Sequence, residues 1–311
     1  NQSGFTQANQ LAAQAFGQAG QLGAQQGQLA GLQSGLAGQQ LGVATTVPQL
    51  QQQALGLGSG LAGQDFQFRQ AQSDAAREAG VSFSKDWTPQ SKKIKANNMN
   101  FHYLEWGDEN NPVILMLHGF AQQAHSWDFV ALAFADRYRV IALDQRGHGD
   151  SDWAKDGDYT PETQQIDIRA VVDKLGLNNF ILMGLSMGGR KSFTYAANNP
   201  DKVNALIIVD AGPENVRAGT QNIRNFVEQE DELDSIDAFV DRVIKYNPRR
   251  DPIQIRGSIV NNLKQLPNGK WTWKYDKILR SAGRMGKPQD PEMTKRLWGY
   301  VENLQCPTLV V

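Results

Sequence analysis

The fold of this chain is decided by the stretch Phe180-Ile181-Leu182-Met183-Gly184-Leu185-Ser186-Met187-Gly188-Gly189. The apolar run 180–183 predicts a strand, and a predicted helix opens at Met187, so Ser186 lies on the tight turn between them. The pattern G-x-S-x-G is typical of a nucleophile elbow, in which a strained turn projects the serine hydroxyl clear of the backbone. A side chain at position 184 or 188 would collide with the neighbouring strand or helix, which explains both glycines. An ordinary strand–loop–helix junction is the alternative interpretation.

Strand and helix patterns alternate around this turn, which predicts parallel β-α-β units. Buried strands are predicted over Val113–Leu117, Tyr138–Leu143, Phe180–Leu185 and Val203–Val209. Predicted helices are Ser126–Arg137, Met187–Asn198 and a helix that Thr160 caps and Gly176 ends. Before these units, the sequence predicts a pair of strands over 92–96 and 100–106, with a turn at Asn97-Asn98 between them.

The composition bounds the class of protein. The 311 residues carry a net charge of −1, which argues against a nucleic-acid partner or a polybasic membrane surface. No run of about 18 apolar residues predicts a membrane span, and no secretory signal is visible, so a cytoplasmic location is expected. The single cysteine, Cys306, is expected to be a buried structural thiol. No metal-ligand or phosphate-loop spacing occurs, so no metal and no cofactor are predicted.

Residues 1–64 differ from the rest, because they contain no Asp, Glu, Lys or Arg and consist mostly of Gln, Gly, Ala and Leu. Such a segment cannot bury enough apolar surface to offset its chain entropy, which favours disorder. The helical spacing of Leu22, Leu29, Leu32 and Leu36 supports the alternative, a helix that orders against a helical partner. Residues 65–90 are interpreted as a linker, with a short helix over 70–79, and residues 91–311 as a globular domain.

Residues 213–300 are interpreted as a helical insertion, because they are rich in charge and contain no run typical of a buried strand. Within it, Trp271 and Trp273 either line a pocket or pack the insertion against the domain. A core strand resumes at 306–311. Since the chain begins with Asn1 and stops at Val311 within this strand, it is expected to be a piece of a longer reading frame.

Residues 92–311 resemble the α/β-hydrolase family, in the branch of small esterases, haloperoxidase-like enzymes, epoxide hydrolases and haloalkane dehalogenases. Besides the elbow, three motifs carry the resemblance: His118-Gly119-Phe120, Asp144-Gln145-Arg146-Gly147-His148-Gly149-Asp150-Ser151, and Asp210-Ala211-Gly212-Pro213. The resemblance implies a mostly parallel sheet flanked by helices with a helical cap at about 213–300. It also implies that Ser186 is the nucleophile and that the N–H groups of Phe120 and Met187 form the oxyanion hole.

The nucleophile narrows the chemistry that the resemblance implies. Epoxide hydrolases and haloalkane dehalogenases have aspartate at the elbow, whereas this chain has Ser186, and Ala121 stands where the epoxide-hydrolase pattern has proline. A serine forms an acyl-enzyme, so hydrolysis of a small carboxylic ester is expected. Two other functions compete: a menaquinone-pathway type of lyase on the same fold, and a non-enzymatic structural or interaction protein that carries a degenerate hydrolase domain.

The catalytic triad of serine, acid and histidine that the resemblance implies is incomplete in this sequence. The family order is serine, then acid, then histidine, yet all four histidines precede Ser186. The acid and histidine positions that the resemblance implies lie beyond Val311, with Asp210 a weak candidate for the acid. The chain as given is therefore expected to be inactive.

The other polar residues of these motifs have structural interpretations. We expect His118 to shape its loop, His148 to be structural, and Asp144 and Arg146 to brace the loop that they open. His102 is expected at the surface. His125 and Trp127 either line the pocket entrance or cap and pack the helix that follows.

Overall fold

The computed structural model describes residues 70, 73, 74, 76–78, 80–214, 217–250, 252–280 and 290–311. The chain divides into two units, residues 1–86 and 87–311. In the first unit, residues 70, 73, 74 and 76–78 are helical, and Arg77 pairs with Asp74 and Asp86. The predictions for residues 1–64 lie outside the described residues. The boundaries proposed at residues 64 and 90 stay predictions.

A seven-stranded sheet forms the centre of the second unit, and its strands are β1 Gln90–Ala96, β2 Met99–Trp106, β3 Val113–Leu117, β4 Arg139–Leu143, β5 Phe180–Leu185, β6 Val203–Val209 and β9 Thr308–Val310. The strand order across the sheet is β1-β2-β4-β3-β5-β6-β9. The strands β4, β3, β5, β6 and β9 are parallel, and β1 and β2 extend the sheet with antiparallel pairing. The predicted alternation of strands and helices is confirmed.

The helices that the structure describes in this unit either flank the sheet or belong to the insertion. They are α1 Asp128–Phe134, α2 Pro161–Lys174, α3 Met187–Asn198, α4 Arg217–Val227, α5 Ile236–Tyr246, α6 Pro252–Ile259 and α7 Pro291–Glu302. The hydroxyl of Thr160 accepts a hydrogen bond from the Thr163 N–H, which confirms the predicted cap of α2. No helix in the described ranges is both long and apolar enough to cross a membrane.

The core lies between the central strands and the helices α2, α3 and α7. Because β3 and β5 are buried on both faces, their sequences are continuous apolar runs rather than alternating ones. The largest fully buried side chains of this core include Phe101, Phe180, Phe193, Tyr195 and Leu115. This packing holds the carboxyl ends of β3 and β5 in place.

The insertion has a core of its own, built from Phe239, Val240, Ile255 and Trp273. Its helices α4–α6 confirm the predicted helical character. Besides these helices the insertion contains an antiparallel ribbon that the sequence analysis did not predict, formed by β7 Leu263–Gln265 and β8 Trp271–Trp273. Three-residue strands are too short to show a period-2 pattern, so sequence periodicity cannot detect them.

A buried ion pair joins three parts of the domain. The Arg146 guanidinium, in the loop after β4, donates two hydrogen bonds to the Asp167 carboxylate of α2, at 2.6 and 2.8 Å. The Asn97 amide, at the β1–β2 turn, donates a third at 2.7 Å. Removing one partner of a buried bidentate ion pair strongly destabilises the folded protein, because the other charge stays buried without a counter-charge.

We therefore expect Asp167→Asn to lower the free energy of unfolding by about 3 kcal/mol or more, because the Arg146 guanidinium stays buried without a counter-charge. Asp173→Asn, on the same helix, is the matched control. Its partner Lys202 lies 3.4 Å away at the surface, so the loss should stay below about 1 kcal/mol. Urea unfolding monitored by circular dichroism measures the free energy of unfolding of both variants. Equal losses in the two variants would refute the structural role of the buried pair.

Candidate active site

Ser186 adopts a strained backbone conformation at the junction of β5 and α3. Its φ is 50° and its ψ is −110°, a region that residues other than glycine rarely occupy. Two backbone hydrogen bonds hold it there: the Ser186 N–H donates to the Val209 carbonyl at 2.9 Å, and the Ser186 carbonyl accepts from the Arg190 N–H at 3.1 Å. The turn is therefore anchored to β6 on one side and to α3 on the other.

The two glycines of the elbow allow α3 to approach the sheet closely. A Cβ atom at position 184 would lie 2.4 Å from the Gly188 carbonyl oxygen, and one at position 188 would lie 2.1 Å from the Leu117 carbonyl oxygen. Both distances are far below a van der Waals contact, so the predicted collision is confirmed. The backbone of α3 thus starts directly against the end of β3.

Phe120 and Met187 both follow the carboxyl ends of neighbouring strands, close to Ser186. In the register of β3 and β5, Leu117 is opposite Gly184, and Phe120 and Met187 each follow three residues later. A Cβ atom at Gly119 would lie 3.6 Å from the Leu185 carbonyl oxygen, so the two loops run side by side. Within the described residues, no group accepts from the Phe120 N–H or the Met187 N–H, and the Ser186 hydroxyl has no hydrogen bond.

His118 and His148 are buried and engage the backbone around these donors. His118 Nδ1 donates to the Gly119 carbonyl at 2.8 Å, and its Nε2 accepts from the Gln145 N–H at 3.0 Å. Burial holds the pKa of His118 well below its usual range, with a further lowering from His148. His148 Nδ1 donates to the Arg146 carbonyl at 3.0 Å, and burial lowers the pKa of His148 to about 3. Both rings are therefore neutral and structural.

His102 is buried, so the expectation that it lies at the surface is wrong. Its Nδ1 lies 2.7 Å from Asp144 Oδ2, and its Nε2 lies 2.9 Å from the Ser91 hydroxyl. The strand β2 lies between β1 and β4, and the loop after β4 closes over it, as the hydrogen bond from the His102 N–H to the Ser151 hydroxyl shows. The hairpin pattern alone could not reveal that the loop after β4 covers His102.

Asp144 braces the loop after β4, as predicted. Its carboxylate accepts from the Ala124 N–H at 2.6 Å and from the Asp150 N–H at 2.8 Å, besides its contact with His102. The carboxylates of Asp144 and Asp150 and the ring of His102 place ligand atoms within 4.8 Å of one another. Internal hydrogen bonds and the Lys274–Asp150 pair, at 2.9 Å, already use these atoms, so we assign no metal site to them.

No described contact joins Ser186 to the other candidate site residues, which are His125, Trp127, Trp271 and Asp210. Trp127 is buried beside α1, and His125 Nδ1 lies 3.0 Å from Asp128, which favours the capping and packing alternative. Trp271 is half-buried in the insertion core and pairs through its backbone with Leu233, so it too favours packing. Asp210 is exposed, and no hydrogen bond joins its carboxylate to any of the four histidines in the described part of the chain.

The insertion contacts the loops of the site through the segment after β8. The Asp276 N–H donates to the Gly147 carbonyl at 2.8 Å, and Tyr275 forms a β-bridge with His148. The rings of Phe120, His148 and Tyr275 form a cluster with centroids 6.0 to 6.2 Å apart. Sequence reasoning missed Tyr275 and Asp276, because Gly147 and His148 lie more than 120 positions earlier and no local pattern signals the contact.

The family model described as the alpha/beta hydrolase fold matches residues 112–301, which is more than half of the chain. This chain belongs to the α/β-hydrolase family. The matched range of the α/β-hydrolase model contains the elbow, the loop that carries Phe120, the loop that Asp144 opens and the whole insertion, residues 213–300.

Curated relatives and solved structures agree with this assignment. The α/β-hydrolase chain is 29% identical to an esterase of Mycobacterium tuberculosis, in a match that covers 77% of this chain and 76% of the relative. A crystal structure of that esterase superposes with a TM-score of 0.60 at 28% identity, covering 79% of this chain and 78% of the other. Epoxide hydrolase 3 of Xenopus tropicalis is 35% identical, but the match spans 38% of this chain and about a third (33%) of that enzyme. Hydrolase chemistry is thus shared by these relatives.

The close approach at Gly188 predicts a severe effect of Gly188→Ala. Because the new methyl group would overlap the Leu117 carbonyl oxygen, we expect the free energy of unfolding to fall by at least about 2 kcal/mol. Gly299→Ala is the control, since Gly299 is also helical and has open space around its Cα. That substitution should be neutral or stabilise by up to about 1 kcal/mol. Urea unfolding compares the two variants, and a neutral Gly188→Ala would contradict the described packing.

Proposed function

We propose that this protein is a serine hydrolase that cleaves small carboxylic esters through an acyl-enzyme on Ser186. The observation that carries the proposal is the strained turn at Ser186, with φ 50° and a hydroxyl free of hydrogen bonds, next to the start of α3. A strained conformation of this kind persists only where the surrounding structure enforces it, and such sites are concentrated where chemistry occurs. The esterase of Mycobacterium tuberculosis, similar over most of this chain, supports the same reaction class.

The free N–H groups of Phe120 and Met187 supply the second part of the chemistry. When a serine attacks an ester carbonyl, the carbonyl oxygen becomes an oxyanion that needs donors. Each such donor contributes on the order of 3 kcal/mol to stabilising the transition state. The Met187 N–H also lies at the N-terminus of α3, where the helix dipole favours negative charge.

The conformation of Ala121 separates this site from the epoxide-hydrolase pattern. Ala121 has φ 59°, whereas a proline ring holds φ near −65°, so proline cannot occupy this position in the present loop. Ser186 likewise replaces the aspartate that forms an alkyl-enzyme. Both departures favour acyl transfer over epoxide opening.

None of the four histidines is assigned as the general base. Both ring nitrogens of His102 and His118 have hydrogen-bond partners other than Ser186, His148 Nδ1 donates to the Arg146 carbonyl, and His125 pairs with Asp128. No described hydrogen bond joins any of these rings to Ser186. Although burial lowers it, the pKa of His125 is raised overall by Asp128, which binds the charged form of its ring. The proposal therefore rests on the nucleophile and the oxyanion donors, and its tests use protein expressed from the complete reading frame.

The insertion, residues 213–300, is proposed as the cap that shapes the acyl pocket. The contacts of Tyr275 with Phe120 and His148 place part of the insertion against the loop that carries the Phe120 donor. The rings of Phe120 and Tyr275 give this part of the insertion an aromatic surface, which suits a small apolar ester.

We expect a fluorophosphonate probe to label the protein at Ser186, because the probe reacts with an activated serine and mimics the tetrahedral intermediate. Ser186→Ala should abolish both labelling and the turnover of p-nitrophenyl esters, a loss of at least about 10⁴-fold in kcat. The exposed Ser126 provides the control, and Ser126→Ala should keep both activities. Mass spectrometry of the labelled peptide and a spectrophotometric assay make these measurements, and turnover that persists in Ser186→Ala would exclude the mechanism.

The lyase alternative is supported by one relative. A Bacillus subtilis protein assigned as a 2-succinyl-6-hydroxy-2,4-cyclohexadiene-1-carboxylate synthase is 25% identical over 70% of this chain. A panel of simple aryl esters separates the two functions: robust turnover favours the esterase, whereas labelling of Ser186 without turnover favours the lyase. A protein that shows neither labelling nor turnover favours the non-enzymatic alternative.

A further inference from the structure

Lys191 is a half-buried cation on the helix that follows the nucleophile. It lies in the second turn of α3, and its Nζ donates a hydrogen bond to Gln145 Oε1 at 2.7 Å. The Gln165 side chain of α2 donates to its backbone carbonyl at 3.1 Å. Lys191 therefore points away from solvent, toward the loop after β4, and the proposed catalytic steps do not use it.

Gln145 connects Lys191 to the loop that carries the Phe120 donor. While its Oε1 accepts from Lys191, its Nε2 donates to the His118 carbonyl at 2.6 Å. Its backbone N–H also donates to His118 Nε2 at 3.0 Å. Gln145 thus holds both the main chain and the ring of His118, and Lys191 fixes which end of the Gln145 amide faces the histidine.

His118 in turn orients the peptide that contains the Phe120 N–H. Its Nδ1 donates to the Gly119 carbonyl at 2.8 Å. This carbonyl and the Phe120 N–H belong to one peptide unit, which is planar. Holding the Gly119 oxygen therefore sets the direction of the Phe120 N–H, the proposed oxyanion donor.

We infer that Lys191 is a positioning residue for the oxyanion donor of Phe120 and acts through Gln145 and His118. The inference rests on the proposed esterase function, since it assigns a role to the Phe120 N–H in that reaction. Preorganised donors accelerate a reaction only when they are aimed at the developing charge, so loss of a remote support reduces kcat.

The surroundings of Lys191 are those of a half-buried hydrogen-bond donor rather than of a charged side chain at the surface. Burial lowers the pKa of Lys191 to about 7, with Asp167 opposing and Arg146 adding to the effect. Because both the charged and the neutral amine carry N–H groups, the hydrogen bond to Gln145 persists on either side of this pKa. The chain of contacts does not depend on the charge of the amine.

The test compares Lys191→Met, which removes the donor, with Lys191→Arg, which keeps one. On a short-chain p-nitrophenyl ester, Lys191→Met should lower kcat about tenfold or more and change KM by less than about twofold. Lys191→Arg should restore most of the lost kcat. Lys174→Met, at the exposed end of α2, is the matched control and should leave both constants unchanged. An unchanged kcat in Lys191→Met, or a rise in KM alone, would overturn the inference.

A double-mutant cycle tests whether Lys191 acts through Gln145. In a Gln145→Leu background, Lys191→Met should have no further effect on kcat, because the contact that it removes is already lost. If the losses of kcat from Lys191→Met and Gln145→Leu add in the double variant, the proposed chain of contacts is overturned. Should Lys191→Met not fold by circular dichroism, Lys191→Gln replaces it in the cycle, since its side chain is polar but shorter.

Nuclear magnetic resonance separates this inference from the proposed function. In the folded protein, the His118 Nδ1 proton should exchange slowly, and Lys191→Met should speed its exchange at least about tenfold while Lys174→Met does not. Failure of the wild-type protein to hydrolyse esters or bind fluorophosphonate would reject the proposed function alone. Unchanged exchange in Lys191→Met would reject the positioning role, whatever the activity.

Discussion

The site depends on one close approach, that of the first turn of α3 to the end of β3. With no side chain at Gly188, the helix backbone lies so near the Leu117 carbonyl that a methyl group would overlap it. This approach places the Met187 N–H and the Ser186 hydroxyl at the carboxyl ends of the central strands β3 and β5, where the loop that carries Phe120 begins. A helix displaced by even one methyl group would move Ser186 and the Met187 N–H together away from the loop that carries Phe120, because both lie at the start of α3.

Around this contact, the domain uses buried polar groups to hold loops in place. Asp144 accepts hydrogen bonds from two backbone N–H groups, and Arg146 pairs with Asp167 across to α2. Such groups are costly to bury, and they stay stable because each finds several partners. The loop after β4 therefore acts as a rigid support for the His118 loop, and the insertion attaches to the same support through Asp276 and Gly147.

Much of the sheet and its helices could be predicted, because the signals are local. The run Phe180–Leu185, the Thr160 cap and the helix Met187–Asn198 all occur where hydrophobic periodicity and capping residues place them. The ribbon of β7 and β8 and the burial of His102 could not be predicted. Three residues are too few to show periodicity, and the layer that covers His102 comes from a loop more than 40 positions away.

The sequence by itself identified Ser186 as the candidate nucleophile, because the pattern G-x-S-x-G at a strand–helix junction is typical of a nucleophile elbow, in which the glycines leave room for the helix to approach the sheet. It also determined the parallel core, since continuous apolar runs require burial on both faces. Only the tertiary structure decided what holds the loop of His118 and Phe120. The contacts from Lys191 through Gln145 to His118 join residues 27 to 46 positions apart, and hydrogen bonds between separate loops depend on how the whole sheet brings them together.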